Sequence, residues 1–282
     1  MAYTTINKST DYFNTKLYVA DQQDNRTITG VGFQPDFVWL KDRDQAVSHQ
    51  LYDAVRGSLK SLASNNTNSE TTETDTLKAF ASDGFTLGTG WGNQSTGDNY
   101  VSWNWLANGT GSANTDGTIT STVSANTTAG FSIVTWTAGS GVGSIGHGLG
   151  VAPSMIIVKG RSSAIGWVTG LKSNGWNHYL QLQSTNTNVN DQRMFSPSGQ
   201  SDPTSTVWYQ DHAALGSSGD TMVGYVFAEK QGYSKIGSYT GNGSSSSPTF
   251  IYTGFKPKFV IVKNTSQADS WFIHDDKRDG YN

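Results

Sequence analysis

The sequence predicts an all-β protein, and three observations predict it. Short β-branched and aromatic runs are separated by Gly, Asn, Asp and Ser turns along the 282 residues, the usual signature of antiparallel sheet proteins. Hydrophobic residues are only 35% of the chain and charged residues 15%, yet 9 Trp, 12 Tyr and 12 Phe supply the apolar area that disordered chains lack. One nine-residue pattern also recurs three times, as Phe33-Gln-Pro-Asp-Phe-Val-Trp-Leu-Lys41, Val151-Ala-Pro-Ser-Met-Ile-Ile-Val-Lys159 and Phe255-Lys-Pro-Lys-Phe-Val-Ile-Val-Lys263. Each copy has an apolar residue, a proline two positions later, four large apolar residues and a closing lysine. Proline cannot donate to a sheet ladder and so belongs at a strand's start. The run behind it reads as a strand buried on both faces.

Taken in order, residues 1 to 10 are polar and form an arm. Tyr12 to Tyr18 alternates as a strand, and Asp21 to Asn25 is turn-rich before Thr27-Ile-Thr-Gly-Val-Gly-Phe33 leads into the first signature strand. Similar leads, Gly130 to Trp136 and Gly232 to Gly243, precede the other two. Ser48 to Leu62 has a helical option, but Asp53 and Arg56 match Asp275 and Arg278 in the strand-like Trp271-Phe-Ile-His-Asp-Asp-Lys-Arg278, which argues for strand and turn. Fourteen positions beyond the three prolines stand His49, Trp167 and Trp271. Gly97 to Trp105 lines up with Gly219 to Phe227 as a strand pair with aromatics on alternate positions, Trp103 and Trp105 matching Tyr225 and Phe227 as core residues. Asn65 to Thr76 and Ser184 to Gln192 read as polar surface loops.

The prolines are separated by domain-sized intervals rather than a solenoid period. The division expected is an N-terminal arm (1–10), two β-sandwich domains (11–128 and 129–230) and a partial third repeat (231–282). The joint from Ala107 to Gly117 is rich in glycine and polar residues and reads as a flexible spacer. A half-sheet with unpaired edges is a pairing hazard, so the third unit is expected to be completed by the preceding domain, another subunit or further sequence.

Composition narrows function by exclusion. A net charge of −3, with no Lys/Arg run, offers no footprint for nucleic acid. The absence of cysteine removes disulfides, thiolate catalysis and Cys-ligated zinc. The first ten residues have neither the apolar core nor the basic lead of a secretory signal, and no apolar run approaches a bilayer span, so no membrane insertion is expected.

Taken as a set, the first signature, Leu51-Tyr-Asp-Ala-Val-Arg-Gly57, Ser82-Asp-Gly-Phe-Thr-Leu-Gly88, Thr118 to Asn126 and Gly146-His-Gly-Leu-Gly-Val-Ala-Pro153 resemble the repeated β-sandwich modules of uncharacterised virion proteins from tailed phages, marine ones especially. The resemblance runs across nearly the whole chain. It implies tandem concanavalin-like or jelly-roll sandwiches, a place in the virion as tail fibre, appendage or capsid decoration, and other virion proteins as partners. It also implies a homo-oligomer, with a trimer favoured. It carries over no catalytic residue and no cofactor, and a dedicated tail-attachment domain is missing from the pattern.

Candidate sites are few. His49, His147, His178, His212 and His274 form no metal-ligand spacing, and His147 reads as a turn residue. The acidic pairs Asp275/Asp276 and Asp42/Asp44 are interleaved with Lys and Arg and suit solvated turns better than glycosidase chemistry. Neither a Gly-x-Ser-x-Gly elbow nor a phosphate loop is present. Trp91, Trp176, Tyr179, Trp208 and Tyr209 lie among polar residues in loop-like segments, where large rings need a reason to be exposed. They are the candidate contact residues, for a neighbouring subunit or for a host-surface glycan. The expected function is a non-enzymatic surface component of a phage particle, with a carbohydrate-binding module or a polysaccharide depolymerase as the alternatives.

Overall fold

Residues 3–278 are described by a computed structural model, and they are almost entirely strand and turn. The first part of the chain forms β1 (Phe13–Val19), β2 (Arg26–Thr29), β3 (Phe37–Asp42), β4 (Gln50–Asp53), β5 (Gly57–Ala63), β6 (Thr71–Thr72), β7 (Leu77–Ala81), β8 (Gly84–Leu87) and β9 (Asn99–Trp105). The second forms β10 (Ser112–Asn114), β11 (Ser121–Asn126), β12 (Phe131–Thr137), β13 (Val142–Gly146), β14 (Met155–Gly160), β15 (Val168–Leu171), β16 (His178–Gln181), β17 (Val189–Asn190), β18 (Val207–Asp211) and β19 (Thr221–Phe227). A hairpin of β20 (Phe259–Val262) and β21 (Phe272–Asp275) follows.

Each signature proline precedes the first strand of a hairpin: β3–β4, β14–β15 and β20–β21. In the first part this hairpin sits in a six-stranded sheet ordered β1-β9-β3-β4-β5-β6. In the second it sits in a sheet ordered β10-β11-β12-β19-β14-β15-β16-β17. The two correspond strand for strand from β1/β12 to β6/β17, down to the register of the short last pairs, Lys60↔Thr72 and His178↔Asn190. Ser48 to Leu62 is strand and turn, as its match to Trp271–Arg278 indicates.

The sheets stack in layers because the signature strands are apolar on both faces. Phe37 and Trp39 point into a central core together with Trp103, Trp105, Phe131, Ile157 and Tyr225, which joins the two large sheets face to face. Val38 and Leu40 point the other way, onto an outer sheet ordered β2-β8-β7. Ile156 and Val158 likewise point onto an outer ribbon of β13 and β18. Phe259, Ile261, Trp271 and Ile273 of the third hairpin pack against the same central core. The aromatic strands of the expected pair are each one continuous seven-residue strand, β9 and β19, with Trp103, Trp105 and Tyr225 buried.

Three expectations are corrected. The joint from 107 to 117 is held rather than loose: the Asp36 carboxylate accepts from the Ala107 amide at 2.7 Å, Ser124 Oγ accepts from the Asn108 amide at 2.8 Å, and β10 pairs with β11. Those two strands belong to the second sheet, so its hydrogen bonding begins well before residue 129. The turns at Asp42 and Asp275 are not solvated, since both carboxylates are buried with local backbone amides capping one oxygen of each.

Candidate functional site: the junction of the three signature segments

The closing lysine of the signature has a structural use that its repetition alone does not reveal. Lys159 Nζ donates to the Gly160 carbonyl at 2.9 Å and crosses to the Thr67 carbonyl of the preceding part at 3.1 Å. Lys263 Nζ repeats both contacts, to Asn264 at 2.8 Å and Thr185 at 3.2 Å. Thr67 and Thr185 each lie 32 positions beyond the proline of their own segment. Burial lowers the Lys159 ammonium to about 8.

Two further contacts recur at matching places. The Trp167 indole donates to the Ala63 carbonyl at 2.8 Å and Trp271 to the Gln181 carbonyl at 2.9 Å. The Glu70 amide donates to Arg161 O at 2.8 Å and the Asn188 amide to Thr265 O at 3.1 Å. The second and third segments are thus each latched to the one before by the same three hydrogen bonds.

The buried charges reinforce this junction. Asp53 accepts from Arg56 Nε and from the Tyr225 hydroxyl at 2.8 Å, joining the first sheet to the second. Arg56 directs its remaining N–H groups to Leu51 O, Lys60 O, Glu70 and Tyr225 Oη, so all five donors are used. Burial opposes the Arg56 charge, but Asp53, Tyr225 and Glu70 outweigh it and hold the group above its ordinary value. Arg161 closes the network with a bidentate pair on Glu70, both contacts 2.9 Å. In the third segment Asp275 takes Arg278 Nε and the Trp103 indole, and the Arg278 guanidinium lies 4.9 Å from the Trp103 ring centroid. Leu171 and Asn174 stand at these places in the second segment, which has no such pair.

The first segment makes none of these three contacts among the described residues, and beside it the surface opens into a cleft of about 560 Å³. Its walls come from Trp39, Lys41 and His49 of the first segment, the loops at Asn65 and Ser184, and Trp271 and Phe272 of the third. His49 occupies the place of Trp167 and Trp271 but turns inward: its Nδ1 accepts from the Trp39 indole at 2.9 Å and its ring stacks on Trp103. Burial, then the charges of Lys41 and Arg278, lowers it to about 4. It is therefore neutral near pH 7, with the proton on Nε2. Lys41 turns to its own strand end, donating to Gln45 O at 2.8 Å.

The five aromatic candidates do not converge on this cleft. Trp208 is fully buried between Trp136 and His147. Trp176 is buried edge-on to Phe195, and Tyr179 packs against the same outer core. A polar, loop-like neighbourhood in the sequence therefore did not mean exposed rings. Trp91 and Tyr209 are half-buried in separate places. His147 is more than a turn residue: it is fully buried, its Nε2 3.2 Å from Thr204 O, and burial lowers it to about 4. The residues that do meet at the cleft carried one signal in the sequence, their common offset from the prolines.

Among the described residues no group of three or more His, Asp or Glu could hold a metal ion, and no helix is long and apolar enough to cross a membrane. Fold and junction define a layered all-β protein whose buried charges and signature lysines fasten corresponding segments together. The chain belongs to the family described as a domain of unknown function, DUF7483, which it matches over residues 8–282. No curated protein and no solved structure matches it.

Proposed function

We propose that the chain is a non-enzymatic structural component of a tailed-phage particle, displayed on its surface and acting in attachment or shell decoration through association with other polypeptides. The observation that carries this reading is the third hairpin. Val260 and Phe272 are 38% and 48% exposed, and Phe250 and Tyr252, in the segment that leads into the hairpin, 85% and 77%, a concentration of exposed large apolar side chains in one short stretch of chain. The buried carboxylates support it too, since Asp53 and Asp275 are each committed to an arginine and an aromatic donor. The resemblance to virion modules supplies the particle. Antibodies against the purified chain are expected to label intact virions in electron micrographs. Unlabelled virions together with a monodisperse monomer in solution would refute it.

A second reading is a carbohydrate-binding module, favoured by a cleft that sets Trp271 and Phe272 beside Asn65 and Ser184. Aromatic planes suit the C–H face of a sugar, and amide and hydroxyl groups suit its hydroxyls. Glycan-array binding lost in Phe272→Ala but kept in Tyr209→Ala would select it. A depolymerase would further require turnover of host polysaccharide.

A further inference from the structure

The first and second segments end their signature strands differently. Asp42 and Gly160 both stand seven positions beyond their prolines. Across the ladder Asp42 is paired with Tyr100 on β9, and Gly160 with Met222 on β19. In the second segment the place is apolar and full, since Met222 is fully buried and a Cβ added to Gly160 would lie 2.4 Å from Ile165 Cδ1. In the first it is polar and leaves a cavity of about 10 Å³, whose lining includes Leu40, Asp42, Gln50, Trp91, Gly92 and Tyr100.

Asp42 and Tyr100 are each 2% exposed, and each brings an unpaired polar atom to this cavity. Asp42 Oδ1 accepts from the Asp44 and Gln45 amides at 2.9 and 3.0 Å, which fixes the carboxylate and leaves Oδ2 buried without a donor. The Tyr100 hydroxyl lies beside that carboxylate but makes no well-formed hydrogen bond among the described residues. Burial first, then the Asp42 and Asp98 carboxylates, hold this hydroxyl above its ordinary pKa, so it keeps its proton and can donate. A carboxylate oxygen out of reach of bulk water needs a donor. Charge is not what it lacks, because the Lys41 ammonium stands on the Asp42 and Gln45 carbonyls and already attracts the carboxylate. The chemistry that fits is a neutral group able to donate to Oδ2 and accept from Tyr100, and the volume is about that which one water molecule needs.

We propose that this cavity binds one internal water molecule, which donates to Asp42 Oδ2 and accepts from the Tyr100 hydroxyl. The water fastens the end of β3 to β9 beside the loop of Trp91 and Gly92, whose Gly92 carbonyl already takes the Tyr18 hydroxyl at 2.8 Å. Every residue of the site lies between Leu40 and Tyr100, so the site is complete within the first segment.

A crystal structure of the full chain tests this directly. The expected density is a single peak about 2.8 Å from both Asp42 Oδ2 and the Tyr100 oxygen. Crystals soaked in rubidium chloride are expected to show no anomalous signal there. In solution, oxygen-17 relaxation dispersion should count one long-lived water fewer in Tyr100→Met, which copies the apolar residue of the second segment. Should that variant fail to fold, the crystal peak decides alone. An empty cavity, a direct hydrogen bond between Tyr100 and Asp42, a rubidium peak or an unchanged water count would overturn the proposal. The site is interior and says nothing of where the chain works, so its failure would leave the virion reading to be decided by labelling.

Discussion

The Trp103 indole nitrogen donates to the Asp275 carboxylate at 3.0 Å across 172 positions of chain, and Tyr225 donates its hydroxyl to Asp53 at 2.8 Å across the same interval. Trp103 and Tyr225 occupy matching places on β9 and β19. The third segment therefore grips the first as the first grips the second.

Trp103→Phe keeps most of the ring but leaves an Asp275 oxygen short of a donor. A lost hydrogen bond to a charged, buried acceptor costs about 1–3 kcal/mol. Because the grip holds the third hairpin, the expected result is faster amide exchange across β20 and β21, with the β12–β19 ladder little changed.

Removing the Arg56 side chain with Arg56→Met leaves Asp53 and Glu70 without their shared cation in a buried setting. Breaking one side of a buried pair costs about 3–5 kcal/mol, read as a lowered urea midpoint. Tyr225→Phe takes only the hydroxyl and should cost about 1–3 kcal/mol. Equal losses in the two variants would show that the guanidinium is not the centre of the network.

Stability should fall on acidification before the carboxylates titrate. The unfolded chain protonates histidine near 6.5, whereas folded His147 resists until about 4 because burial penalises its charged form. Unfolding therefore takes up a proton between these values, and stability drops as pH falls through that window, by on the order of 3 kcal/mol at most for this group. His49 acts in the same direction. Urea titrations at pH 7 and 4.5 measure the drop, and His147→Gln should flatten it. Glu70, held low by Arg161 and Arg56 against the cost of burial, adds its loss further down, as pH falls below the unfolded glutamate value.

Gln210 is buried on β18 and neither atom of its amide has a hydrogen-bond partner among the described residues. Gln210→Met keeps the length and removes the desolvated amide, so the variant should be more stable by about 1 kcal/mol. A lower urea midpoint would show that the amide is satisfied in solution.

Much of this was legible in residue order, because a strand's two faces are written at period two. The run Phe37-Val-Trp-Leu40 declared itself buried on both sides, and Trp103 with Trp105 declared one inward face. What a face packs against is not local. Trp176 and Trp208 read as exposed because their neighbours are polar, yet Trp208 turns inward from the outer ribbon onto Trp136 and His147, and Trp176 packs on Phe195 in the same core. Asp42 and Asp275 read as solvated because Lys and Arg adjoin them, yet both are buried, with local backbone amides on one oxygen of each and the distant Trp103 indole on Asp275. His49, Trp271 and Lys159 stand at repeated offsets from the prolines, but an offset names no partner.

By itself the amino-acid sequence determined the strands, their start at Pro35, Pro153 and Pro257, and which side chains each strand turns to either face. Those follow from backbone geometry and from proline's missing donor, which act within a few residues. Only the tertiary structure decided that the large sheets share one central core, that Lys159 and Lys263 cross to the segment before their own, and that Asp53 and Asp275 meet Tyr225 and Trp103. These depend on contacts between groups a hundred or more positions apart, where shape and unsatisfied hydrogen bonds choose the partner.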